Sequence, residues 1–155
     1  MRQEFFGPAG RVAHRQTGVA VILWEHDRHG QAIAESYLDT NERPTERTDV
    51  GVGKIEYRYN ESGYHTYTAT FSLAGAMRPW GEMGFAQTAV EFDRYGNELE
   101  RKLLDANGSA VNHPLLGYAV VRRQYDGRGY LVRTEYLSAA GKLVRQSWER
   151  FGRAE

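Results

Sequence analysis

Glycine recurs in this chain at one constant phase, at Gly18, Gly51, Gly84 and Gly117. A second column follows at Gly30, Gly63, Gly96 and Gly129, and a third, the same distance further on, at Gly75, Gly108 and Gly141. Glu42 alone breaks the third column. Three columns in phase over four periods mark a tandem array, whose units cannot each bury an apolar face and gain stability by packing on their neighbours.

The array sets the domain reading. The chain is expected to be one domain over 1–155, with a partial unit at 1–17, units at 18–50, 51–83, 84–116 and 117–149, and a remnant at 150–155 in which Phe151-Gly152 is a worn fifth start. Phe5-Phe6-Gly7-Pro8-Ala9-Gly10 aligns with Tyr136-Leu137-Ser138-Ala139-Ala140-Gly141. The step from Gly10 to Gly18 is one position shorter than those from Gly75 to Gly84 and from Gly108 to Gly117, a deletion expected in a loop.

Each unit carries the same local grammar. An Asp/Asn-x-x-Gly turn ends at each glycine of the second column, as Asp27 to Gly30, Asn60 to Gly63, Asp93 to Gly96 and Asp126 to Gly129. The acid or amide accepts from backbone amides, and glycine takes the positive φ that other residues resist. A second turn sits at the third column, and the two bracket a strand: Gln31 to Leu38, Tyr64 to Phe71, Asn97 to Leu104, Tyr130 to Leu137. The preceding strand, ending at His26, Tyr59, Phe92 and Tyr125, alternates with period two. Ile22, Trp24 and their counterparts share one face, and Glu25, Arg58, Glu91 and Gln124 the other, as in a half-buried antiparallel strand. Arg123 departs from the column of Trp24, Tyr57 and Val90.

A third segment follows, over 44–50, 77–83, 110–116 and 143–149, and holds Pro44, Pro79 and Pro114. Proline cannot donate to a ladder, so a loop, a bend or a short edge strand is expected there. Glu35–Leu38 and Glu98–Leu104 look helical alone, but their columns read as strand elsewhere.

Twenty basic and twenty acidic residues cancel, so no overall field selects nucleic acid or an anionic membrane. No apolar run approaches the ~20 residues of a membrane helix. Without cysteine there are no disulfides or thiolate metal sites, and the compartment stays open.

A residue type that fills one column in most units serves something all units share, so a functional site would stand out as a departure. The recurring turn acids Asp27, Asp93, Asp105 and Asp126 therefore read as turn chemistry. Arg28, Arg94 and Arg128 beside them argue against a calcium ladder. In His26-Asp27-Arg28-His29 the first histidine replaces an inward aromatic, and His14, His65 and His113 are read as lying in unrelated columns, so no zinc shell is expected. No catalytic set, cofactor loop or metal cluster emerges, and no enzyme is expected. Most aromatics fall in strand columns. Tyr64, Tyr95 and Tyr130 beside the first turn, with Trp80 and Trp148 in the third segment, are the candidates for an exposed binding row.

The motifs Phe92-Asp93-Arg94-Tyr95-Gly96 and Tyr125-Asp126-Gly127-Arg128-Gly129, with Tyr136-Leu137 and Gly141 following, resemble bacterial tandem YD (RHS-type) repeats. Those units are shorter and typically carry Gly-Arg-Leu after the Asp, where this chain has Gly-Gln, Gly-Tyr, Gly-Asn and Gly-Tyr. The resemblance implies a β-hairpin array serving as spacer, shell or binding surface, and assigns no catalytic residue.

The expected fold is thus all-β, an elongated twisted antiparallel sheet or β-solenoid of ~33-residue hairpin units. The columns begin and end out of phase, which leads us to expect a segment of a longer array, or one whose edge strands pair with another copy. The expected function is a non-enzymatic scaffold or protein-interaction module. Carbohydrate or cell-envelope binding through Tyr64, Trp80, Tyr95 and Tyr130, and a self-assembling or shell subunit, are the alternatives.

Overall fold

The computed structural model describes residues 1–148, so the expected fifth start at Phe151-Gly152 lies outside the described residues. It is a β protein. The strands are β1 (Arg2–Glu4), β2 (Phe6–Gly7), β3 (Gly10–Arg11), β4 (Val21–His26), β5 (Ala32–Leu38) and β6 (Lys54–Tyr59). They continue as β7 (His65–Phe71), β8 (Gln87–Phe92), β9 (Glu98–Leu104), β10 (Val120–Tyr125), β11 (Leu131–Leu137) and β12 (Leu143–Trp148). Ten form one open antiparallel sheet in the order β1-β4-β5-β6-β7-β8-β9-β10-β11-β12, and β2 pairs with β3 apart from it. Among the described residues the sheet does not close into a barrel or solenoid.

The four hairpins share one register, offset by a whole period from each to the next. Val21 pairs with Leu38, Lys54 with Phe71, Gln87 with Leu104 and Val120 with Leu137. Each ladder shifts by one residue just before the turn, at Glu25/His26, Arg58/Tyr59, Glu91/Phe92 and Gln124/Tyr125. The second strand of each hairpin starts one residue later than its sequence pattern predicts. Gln31, Tyr64, Asn97 and Tyr130 belong to the turns, because their amides donate to Oδ1 of Asp27, Asn60, Asp93 and Asp126.

Hairpins join one another through shorter ladders, Ala34–Ser36 against Lys54–Glu56 and its counterparts. On one side the third segment takes the remaining edge. Pro44, Met77 and Ala110 bridge to Leu38, Phe71 and Leu104 before the chain turns away. Towards the first turns the strands splay. Tyr59 spans the gap with a hydroxyl hydrogen bond to the Ala32 carbonyl, and Tyr125 does the same to that of Glu98.

The third segment lacks a strand in three hairpins, with a short 3-10 helix at Gly81–Met83 in the second, and is a full strand in the fourth. Beside β5, β7 and β9 the next hairpin occupies the sheet edge, so the segment leaves after one bridge; beside β11 the segment itself takes that place as β12. These connections fold over the sheet face that carries Ile22, Tyr37, Ile55 and Tyr57. Val19, Tyr37, Val52 and Ile55 form the buried core there, with Val50, Tyr57 and Trp80 packed against it. The opposite face exposes Glu25, Arg58, Glu91 and Gln124, in line with the alternation.

The connections also correct the histidine assignment. The His14 amide donates to the Val19 carbonyl as His113 donates to that of Tyr118, with Arg47 and Trp80 making the same bond in between. His14 and His113 therefore share a column. Counted from Gly10 they fall one residue out of step, which hides the match. The missing residue lies in the turn between Phe6 and Arg11, since these two pair where Leu38 pairs with Pro44, and Val12 then bonds the Phe5 carbonyl as Thr45 bonds that of Tyr37.

Candidate functional site

The turn acids are committed to the backbone. Asp27 Oδ1 accepts from the amides of His29 at 2.8 Å and Gln31 at 3.0 Å, and Asp93 and Asp126 repeat the pair. The amides hold the Asp27 carboxyl below the ordinary aspartate range, that of Gln31 foremost. For Asp93 the Asn97 side-chain amide is the main cause, seconded by the backbone. Among the described residues, no group of three or more His, Cys, Asp or Glu side chains converges on a metal-sized site.

Neighbouring turns leave clefts where the strands splay. One of about 550 Å³ lies between the turns at Asp27 and Asn60, and another of about 740 Å³ between those at Asp93 and Asp126. The middle gap is closed by Tyr64, whose ring stacks on Phe92 at 5.2 Å. A Cβ on Gly96 would collide with the Tyr64 hydroxyl and ring edge.

The four expected binding aromatics do not form one row. Tyr64 fills its gap, Tyr95 is 70% exposed at the third turn, and Tyr130 is 52% exposed just past the fourth. Trp80 sits in a connection on the core-bearing face, where the Arg47 guanidinium stacks 5.0 Å above its ring.

Two polar clusters organise the inner face. In the first hairpin Glu35 accepts from Trp24 Nε1 at 3.1 Å, from the Tyr37 hydroxyl at 2.6 Å and from that of Tyr57 at 3.3 Å. Burial and the Glu35 carboxylate push both phenols far above the ordinary tyrosine range, so they act as neutral donors. In the third hairpin Glu98 accepts from Arg101 at 3.0 and 2.8 Å, and also from Arg123. That explains why Arg123 departs from the column of Trp24, Tyr57 and Val90. The Arg101 hydrogen bond, aided by Arg123, holds Glu98 below the usual carboxylate range against the opposing effect of burial.

Between these clusters runs a mostly apolar groove of about 360 Å³. Thr68, Thr70 and Thr88 floor it, Tyr57, Trp80 and Phe85 wall it, and His65 and Arg101 stand at its rim. This volume falls in the range of small-ligand pockets, about 300–1,000 Å³. The chain matches no family model and no curated protein sequence. The groove leaves no chemical signature in the sequence, because Thr70 departs from Tyr37, Leu103 and Tyr136 in volume.

Proposed function

We propose that this chain is a non-enzymatic scaffold, a protein-interaction module built as part of a longer hairpin array of the YD-repeat kind. The supporting observation is the constant hairpin register, which repeats the same backbone frame while the side chains on its faces change. Such frames present extended surfaces on which neighbouring units vary independently. The turn acids support the same reading, since their Oδ1 atoms are spent on folding. Size-exclusion chromatography with small-angle X-ray scattering, followed by capture of protein partners, tests it. An elongated monomer that captures no protein partner and instead hydrolyses or transfers a substrate would overturn it.

A second reading is self-assembly through β12. All six of its residues are exposed, with Trp148 60% and Val144 48% accessible, and an edge strand of this length offers unpaired backbone groups to another strand. Scattering mass that grows with concentration favours it, and a constant mass removes it. The glycan alternative rests on Tyr95 and Tyr130, which are exposed beside separate turns; a glycan array with no retained sugar removes it.

A further inference from the structure

We infer that the groove in the second hairpin is a receptor for one aromatic side chain of a protein partner, a tyrosine by preference. The inference rests on the interaction-module reading and gives that module a specific acceptor site.

The argument comes from the chain's own first hairpin. There Tyr37 lies 2% exposed among Val52, Ile55, Ile22 and Tyr57, and its hydroxyl donates to Glu35. The counterparts of those neighbours one unit further along are Phe85, Thr88, Ile55 and Val90, all of which line the groove. The residue at the Tyr37 position is Thr70, and that at the Glu35 position is Thr68. The groove is therefore the seat of a phenol whose side chain this hairpin lacks. The other hairpins fill it themselves. Leu103 is 7% exposed in the third, and Tyr136 in the fourth packs 5.1 Å from Tyr118 under the Arg145 guanidinium.

The chemistry of the seat suits an incoming ring. Trp80, Phe85 and Tyr57 supply aromatic walls, against which an offset or edge-to-face ring is favoured beyond its burial. Thr68 Oγ1 lies 3.0 Å from His65 Nε2 where Glu35 stands in the first hairpin, so a phenolic hydroxyl meets a hydroxyl and an imidazole instead of a carboxylate. An aliphatic side chain fills less of the seat and finds no use for that pair. Aromatic anchors in such pockets commonly dominate interface energetics.

The test is an NMR titration of the full chain with N-acetyl-tyrosinamide, with N-acetyl-leucinamide and N-acetylglucosamine in parallel. The expected result is saturable shifts confined to Thr68, Thr88 and the Trp80 indole N–H, with a dissociation constant on the order of 1 mM. Leucinamide binds at least fivefold more weakly. Thr70→Tyr restores the missing ring and weakens the probe at least tenfold. If that variant does not fold, Thr70→Leu, the residue type found at Leu103, serves in its place. No saturable shift, equal shifts with the filled variant, or a preference for the sugar at these residues would overturn the inference. Probe binding by a chain that captures no protein removes the interaction-module reading and leaves the aromatic seat. Partner capture that Thr70→Tyr leaves unchanged, without probe binding, sinks the seat and leaves the module.

Discussion

Glu42 is the residue at which this chain departs from its own rule and bears the consequence locally. It stands where the other units have glycine and takes φ of 62°, the one positive φ outside glycine among the described residues. A side chain in that region costs about 1 kcal/mol. Its carboxylate is held by Arg2 and, at 2.9 Å, by Arg11, partners that exist because the first partial unit packs alongside. Exposed pairs of this kind contribute little and weaken with salt. Glu42→Gly should therefore be near neutral at low ionic strength and raise the urea midpoint in ~1 M salt, where the ion pairs are screened and the relief of the positive φ remains. Glu98 gives the complementary case. Its carboxyl is depressed by Arg101 and Arg123, so its contribution is complete above the ordinary glutamate pKa of about 4.3 and is lost as pH falls through the lowered value. Glu98→Gln leaves two guanidiniums facing each other. It should lower the melting temperature by about 2–4 °C at pH 7, with the difference closing at acid pH. A gap that stays constant down to pH 2 would refute the assignment.

The hairpin is the element on which the fold is built, and its turn is the most repeated chemistry in the chain. Each first turn has a side-chain acceptor for two amides and a backbone bond from the glycine to the turn's first carbonyl. Asp126→Ala removes the one oxygen that accepts from both amides and should cost about 1–2 kcal/mol, whereas Asp126→Asn, the type found at Asn60, should cost under half of that; comparison of their unfolding midpoints decides it. The ladders also differ in length. Six residue pairs close each hairpin internally, and three pairs join β5 to β6, β7 to β8 and β9 to β10. The side chains and connections on the inner face make up the difference, which is why the core sits under the connections and not midway along the strands.

At the scale of the whole molecule an open sheet has two ends, and they are not alike. β1 is three residues long, while β12 is six and carries no buried side chain. Stability in such an array is a sum over neighbours, lowest where one neighbour is missing. Amide hydrogen exchange should thus be slowest in β6 to β9, faster in β4 and β11, and fastest in β12. Uniform protection across the ten strands would mean that the sheet opens only as one cooperative unit.

The sequence by itself determined the hairpins. Glycine phase placed the turns, the turn acids recur because every unit needs the same amides capped, and period-two alternation assigned the solvated face, all of them local properties that each unit repeats. Even the misplaced strand starts differ by one residue, because Gln31 and its counterparts lend their amides to the turn. Only the tertiary structure decided what lies between units. Whether the third segment is loop or strand depends on which chain segment occupies the adjacent sheet edge; the lack of a proline in 143–148, where the other three segments hold Pro44, Pro79 and Pro114, permits a strand there but does not dictate it. That the sheet stays open follows from pairing between distant strands. The histidine column and the groove were hidden for related reasons: a one-residue deletion shifts the count at His14, and a missing volume at Thr70 becomes visible only once Phe85, Thr88 and Val90 are seen around it.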